Sequence, residues 1–146
     1  MHLTALHRLL YVSFVTEGHD PGDLRRIVET SRVNNARTGI TGCLMQVDDC
    51  FIQVLEGRGE DIEPVFEKIC CDFRHRDVRL IDFVAVPERV FPGWGMGLID
   101  GGDHTLLDEC DLQEVKFLLS INAREAIRKM QALLGESSTE RTALAA

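Results

Sequence analysis

The chain has 146 residues, 45% of them apolar and 27% charged, with a formal net charge of −8 at pH 7. Such a length fits one domain with a core of its own, and the negative charge argues against a nucleic-acid surface, where affinity depends on neutralising phosphates. No run approaches the ~18 consecutive apolar residues of a membrane helix and no basic stretch precedes an apolar one at the start, so a soluble, cytoplasmic protein with no membrane partner is expected.

Leu6–Val15, rich in Leu, Val and Phe, reads as a first strand that stops ahead of Gly18. Asp20-Pro21 has the form of an N-cap followed by the first helical residue, and Leu24, Ile27, Val28 and Ser31 repeat behind it at helical spacing. Ile40–Val47 and Cys50–Glu56 flank Asp48-Asp49, a pair suited to a tight turn, and read as a hairpin. Ile62, Val65, Phe66, Ile69 and Cys70 mark a second helix, in which Pro64 is tolerable if it lies in the first turn. Val78–Val86 and Trp94–Ile99 are the expected fourth and fifth strands, separated by a Pro87–Gly93 loop.

The order β-α-β-β-α-β-β is a split βαβ unit with one added strand, which predicts an α+β, ferredoxin-like two-layer sandwich with both helices on one face of a five-stranded mixed sheet. Leu106–Leu119 and Ala123–Leu134 carry helical periodicity and are assigned to the other face, since neither would be stable alone. Residues 1–100 are thus expected to form the folded domain and 101–134 a helical extension hinged at Gly101-Gly102. The polar tail 135–146 is expected to be disordered. The cysteines Cys43, Cys50, Cys70, Cys71 and Cys110 are odd in number, lack C-x-x-C spacing and lie mostly in apolar runs. That pattern predicts buried thiols, with no disulfide framework and no metal site.

Several polar residues sit where the pattern calls for apolar ones. Alternation along the third strand points Phe51, Gln53 and Leu55 to one face and Ile52 and Val54 to the other, so Gln53 is an amide on an apolar face. It must be partnered there, or solvated at a sheet edge. Tyr11, the only tyrosine, lies within an apolar strand, as a core tyrosine with one hydroxyl partner would. Asn34-Asn35 suits a helix terminus, Arg74-His75-Arg76-Asp77 suits a solvated loop, and Trp94 and Met96, two apart in an extended segment, would share a face as core residues.

Four segments in order, Leu9-Leu10-Tyr11-Val12-Ser13-Phe14-Val15, Ser31-Arg32-Val33-Asn34-Asn35-Ala36-Arg37-Thr38-Gly39-Ile40-Thr41-Gly42, Phe51-Ile52-Gln53-Val54-Leu55-Glu56-Gly57 and Phe91-Pro92-Gly93-Trp94-Gly95-Met96, resemble one family closely, the BLUF domains, blue-light sensors using FAD. The resemblance implies a noncovalent FAD site, with FMN or riboflavin possible in its place, and a photoreceptor rather than an enzyme. Tyr11 would be the electron and proton donor and Gln53 the amide that switches between it and the flavin. Asn35 would bond the pyrimidine edge with Asn34 beside it, and Ile27, Ser31, Phe51, Leu55 and Ile69 would form the ring slot. Lys68, Arg74 and His75 would guide the ribityl and phosphate portion, Asp72 would accept from ribityl hydroxyls, and Trp94 and Met96 on the fifth strand would relay the change. Output would run through self-association or a downstream protein partner.

Gly95 departs from the serine common in the family, and Met45-Gln46 from an apolar–tyrosine pair, neither within the Tyr11, Asn35 and Gln53 set. Two other classes remain distinguishable: a light-indifferent ferredoxin-like module for a small ligand, and a flavin-dependent redox enzyme. No acid–base pair or nicotinamide fingerprint supports the latter.

Overall fold

The computed structural model describes residues 3–17, 22–100 and 109–145. The Asp20-Pro21 cap and the Gly101-Gly102 hinge lie outside the described residues. In chain order the elements are β1 (Leu6–Val15), α1 (Asp23–Thr38), β2 (Thr41–Val47), β3 (Cys50–Arg58), α2 (Gly59–Cys70), β4 (His75–Ala85), β5 (Gly97–Asp100), α3 (Glu109–Leu119) and α4 (Ala123–Ala145). The sheet order is β4-β1-β3-β2-β5, antiparallel throughout except for the parallel β2–β5 pair. This is the expected α+β, ferredoxin-like architecture with a five-stranded mixed sheet.

Alternation along the strands divides the core into two layers. Leu9, Tyr11, Phe51 and Leu55 face α1 and α2, where they meet Leu24, Val28 and Ile62. Leu10, Cys43, Ile52 and Val54 face the other way and meet Leu112 and Val115 of α3 and Ile127, Met130 and Leu134 of α4. Burying one such side chain is worth roughly 1.5–3 kcal/mol. The buried residues of α4 therefore suffice to dock a helix whose sequence would be marginal alone. The β2–β3 hairpin closes as Val47 pairs with Cys50, and Asp48 takes the left-handed conformation (φ 53°) that the two-residue turn requires.

Four expectations are corrected. Pro64 lies in the second turn of α2, not the first, because the helix already begins at Gly59; proline has no N–H to return to the Glu60 carbonyl. The fifth strand begins at Gly97, and Trp94 and Met96 precede it. Trp94 O still accepts from Gly42 N–H of β2 (2.9 Å), but the next two carbonyls are engaged by α1, with Asn35 Nδ2 donating to Gly95 O (2.6 Å) and Arg32 Nε to Met96 O (3.0 Å). Helix α4 continues past Leu134 to Ala145, where a disordered tail was expected. A single glycine costs only about 1 kcal/mol in a helix, and the residues beyond Gly135 include no proline and several good helix formers. Finally, Cys43 and Cys50 are buried as expected, but Cys70, Cys71 and Cys110 are exposed. Cys70 lies one position past the inward stripe ending at Ile69, and Cys71 is the C-cap of α2.

Two glycines mark close approaches whose consequences differ. A Cβ on Gly42 would collide with the Val54 carbonyl oxygen, which is fixed in the ladder, whereas a Cβ on Gly97 would meet the flexible end of Leu134 on α4. Gly42→Ala is therefore expected to lower stability by roughly 3 kcal/mol or more, and Gly97→Ala by roughly 1–2 kcal/mol. Urea midpoints of the two variants against the wild type check the order.

Candidate functional site

The site begins with strand register. Tyr11 on β1 and Leu44 on β2 stand directly opposite Gln53 on β3, all three facing α1 and α2. Tyr11 Oη–H donates to Gln53 Oε1 at 2.5 Å, and Gln53 Nε2 donates to Met96 Sδ at 3.4 Å. Tyr11 and Gln53 are each 3% exposed, so the glutamine is a buried, partnered amide and not a solvated edge residue. Burial pushes the Tyr11 phenol far above the ordinary tyrosine range, and the charge of Asp72, then Cys70, adds to the effect. The phenol is thereby held protonated, as a donor.

Above this pair lies a cavity of about 510 Å³ between the sheet and the two helices, within the roughly 300–1,000 Å³ usual for small-molecule and cofactor sites. Ile27, Phe51, Leu55 and Ile69 supply apolar wall, with Ser31 among them. Asn35, 3% exposed, points into the same space, while Asn34 lies at its exposed rim. Helix α1 does not end at the asparagine pair but at Gly39 (φ 76°), whose N–H returns to Asn35 O at 2.8 Å. The Asn35 side chain is therefore free of a capping role. Its Nδ2 is committed to Gly95 O, leaving Oδ1 as an acceptor. Gln53 Nε2 likewise carries a second hydrogen beyond the one aimed at Met96. Apolar walls with one open amide acceptor and one open amide donor fit a flat heteroaromatic ring with a mixed donor–acceptor edge.

At the mouth, Lys68 is exposed and Arg74 grips Asp72 through Nε and Nη2, the shortest contact being 2.6 Å. The guanidinium holds the Asp72 carboxyl below the usual carboxylate range. This pair leaves Asp72 less available as an independent acceptor than the sequence suggests, because its charge is already matched. His75 also lines the cavity, but its nitrogens contact Ser13 Oγ (2.7 Å) and Ile69 O (2.5 Å). Both ring nitrogens are thus engaged by protein groups of β1 and α2.

The structure brings together every residue expected to contact a cofactor, and Met96 with them. Trp94 is separate: it packs, partly buried, with the α3–α4 layer, while Met96 is fully buried in the layer of Tyr11. The two do not share a face, since the segment between them is bent and not extended. Sequence reasoning missed Leu44, Thr30, Thr38 and Val65 as lining residues. Leu44 follows only from hairpin register. Thr30 and Thr38 lie three and eleven residues after Ile27, and Val65 four before Ile69, so helical spacing could have found them.

Comparison with known proteins agrees with this geometry. A profile of the BLUF family, sensors of blue-light using FAD, matches residues 6–97. The photoactivated adenylate cyclase subunit beta of Euglena gracilis is 36% identical over 89 residues, covering 61% of this chain and 10% of that protein. The chain spans about a tenth of the length of the curated relatives it matches first. Among solved structures, BlrB, a BLUF protein in its dark state, superposes with a TM-score of 0.73 at 26% identity, covering 92% of this chain and 98% of that one. BlsA in its photo-activated state gives 0.74 at 30% identity, covering 88% and 94%. The chain belongs to the BLUF family. Among the described residues, no helix is long and apolar enough to cross a membrane, and no cluster of His, Cys, Asp and Glu could hold a metal ion.

Because Tyr11 is the only tyrosine, its ionisation is directly visible. A folded-state pKa above the unfolded value contributes stability that is full below about pH 10, the ordinary tyrosine value, and is lost as pH rises towards the folded-state value. An alkaline titration should show no phenolate absorption until the protein unfolds, and Tyr11→Phe should have a shallower loss of stability above about pH 10. Phenolate absorption appearing while circular dichroism remains native would contradict the burial argument.

Proposed function

We propose that this chain is a blue-light photoreceptor that binds FAD noncovalently between α1 and α2, with Tyr11 and Gln53 as its photochemical pair. In this reading it is a sensor and not an enzyme, and light alters its association with itself or with a downstream protein. The observation that carries the proposal is the line Tyr11 Oη, Gln53 Oε1/Nε2, Met96 Sδ on the floor of an apolar cavity, in a chain of the BLUF family. FMN or riboflavin would fit the same ring contacts.

Asn35 Oδ1 and the second Gln53 Nε2 hydrogen would hold the polar ring edge, with Asn34 beside them. Ile27, Ser31, Phe51, Leu55 and Ile69 would enclose the ring. Lys68 and the remaining donors of Arg74 would meet the ribityl and phosphate portion. When bound, flavin supplies blue-light absorption and, once excited, an acceptor for an electron from a phenol.

A phenol that loses an electron becomes a strong acid, and the Tyr11 proton has Gln53 Oε1 within hydrogen-bond distance at 2.5 Å. Both groups are only 3% exposed, so the proton is directed along that contact and can return by it. The amide is the element with two states. In the arrangement observed, Oε1 accepts from Tyr11 and Nε2 faces the Met96 thioether. A half-turn would present Nε2 to Tyr11 and leave Oε1 against a sulfur that has no proton to give, so Met96 favours the first state. Rotation or tautomerisation of Gln53 would change what the amide offers the cavity.

A role in association is supported by Phe117 and Ile121, 63% and 65% exposed on and just after α3. The near-complete span of BlrB and BlsA supports a sensor role for the described unit.

The purified protein is expected to be yellow, to release intact flavin on denaturation and to show a small, reversible red shift under blue light. A colourless protein that takes up no added flavin would overturn the proposal. Tyr11→Phe and Gln53→Leu should retain flavin but lose the red-shifted state, and either variant forming it normally would remove that residue from the mechanism. Asn35→Ala should keep the photochemistry but bind flavin more weakly by about 1–3 kcal/mol, measured by flavin titration in the dark.

A further inference from the structure

The photochemical pair makes no use of Glu56, three residues beyond Gln53 on β3. Its side chain is 0% exposed, a position a carboxylate occupies only when its oxygens are well partnered. Here they are: Oε1 accepts from Phe91 N–H (2.7 Å) and Val90 N–H (3.0 Å), and Oε2 from Val90 N–H (2.9 Å) and Arg8 Nε (2.8 Å). Arg89 ties the same loop from the other side, with Nη1 donating to Thr41 Oγ1 (2.8 Å) and to the Glu56 carbonyl (2.9 Å).

The loop so fastened leads to Met96, and its next links are Trp94 N–H to Phe91 O at 3.4 Å, Gly42 N–H to Trp94 O, then Asn35 and Arg32 on the carbonyls of Gly95 and Met96. On its outer side, Gln131 Nε2 of α4 donates to Val90 O at 2.9 Å, and Phe91 is buried among residues of α3 and α4. One short segment, Arg89–Met96, therefore touches the switching amide at one end and the C-terminal helices at the other.

We infer that Glu56, with Arg89, is a clamp of positioning residues that fixes this loop so that Met96 is held against Gln53 and a change at the amide reaches α4. The inference rests on the photoreceptor reading. The clamp works because β3 carries both partners: Gln53 faces the cavity, Glu56 faces the opposite layer, and the strand between them is a rigid, doubly paired ladder. A loop fixed to that ladder can respond to the amide as a unit. An unfixed loop would absorb the change in its own backbone, which contains Gly93 and Gly95.

Glu56→Gln is the sharpest variant. The amide has nearly the shape of the carboxylate, but only one acceptor oxygen, and its NH₂ would face N–H donors. In the dark, amide exchange at Gly42 and Trp94 should quicken by about tenfold relative to neighbouring β2 amides. Under blue light the wild type should show a light–dark exchange difference in α4. In Glu56→Gln the red shift should persist, its dark recovery should change by at least about threefold, and that α4 difference should be absent. A wild type with a red shift but no α4 difference overturns the inference. A purely structural role would lower the melting temperature and leave recovery and the α4 difference as in the wild type; that result overturns the inference.

Should Glu56→Gln not fold, Arg89→Leu loosens the same clamp from its half-buried arm and should quicken exchange at Gly42 and Trp94 and shift recovery in the same direction. Unchanged exchange and recovery in that variant would likewise overturn the clamp. A wild type without any red shift would instead refute the photoreceptor reading, while the dark exchange at Gly42 and Trp94 still decides whether Glu56 and Arg89 hold the loop.

Discussion

The arrangement depends on burying an amide and a phenol together inside an apolar layer. Neither Tyr11 nor Gln53 could be taken from water alone without an unmet hydrogen bond, at a cost of about 1–3 kcal/mol for each group. Paired across β1 and β3 at 2.5 Å, they satisfy each other, and the remaining hydrogens and lone pairs of the amide set what can enter the cavity. Burial of the pair in that layer keeps the phenol protonated, and the two residues stand directly opposite one another across the central strands.

β3 is what makes such a site compatible with a stable domain. It lies between β1 and β2, so its backbone groups are paired on both edges, and nearly all of its residues are buried. Its two faces do different work. Phe51, Gln53 and Leu55 line the cavity, whereas Ile52 and Val54 pack the layer of α3 and α4 and Glu56 holds the loop between β4 and β5. The cavity on one face and helices α3 and α4 on the other are separated by the thickness of one sheet. The segment Arg89–Met96 passes around its edge and contacts both.

Charge is kept apart from the ring-binding interior. Arg74, Asp72 and Lys68 gather at the mouth, and the Arg74–Asp72 pair neutralises itself there. The interior polar groups are neutral amides, a phenol and a hydroxyl. An apolar slot with neutral amides favours a flat ring with a mixed donor–acceptor edge, and a charged mouth is where an ionic tail would lie. His75 illustrates the same division: although it stands at the border, both ring nitrogens contact protein groups and the ring acts as wall.

Much of this was legible in the order of residues. Periodicities of 2 and 3.6 specified the strands, both layers of the sandwich and the face on which Gln53 lies, because side-chain direction in a strand or helix follows from local backbone geometry. The family resemblance of four short segments carried the cofactor and implied the roles proposed above for Tyr11, Asn35 and Gln53. What remained hidden involves residues far apart in sequence. Leu44 joins the cavity through hairpin register, Met96 and Trp94 part to opposite layers where Asn35 and Arg32 of α1 hold the carbonyls of Gly95 and Met96, and Pro64 sits one turn deeper than expected because α2 starts directly from β3. Glu56 reads as an ordinary charged residue at a strand end until the fold brings the N–H groups of Val90 and Phe91 and the guanidinium of Arg8 to it. Local preference determines where a side chain points; only the tertiary structure decides what it meets there, because those partners are set by loop closure and sheet order and not by neighbours in the chain.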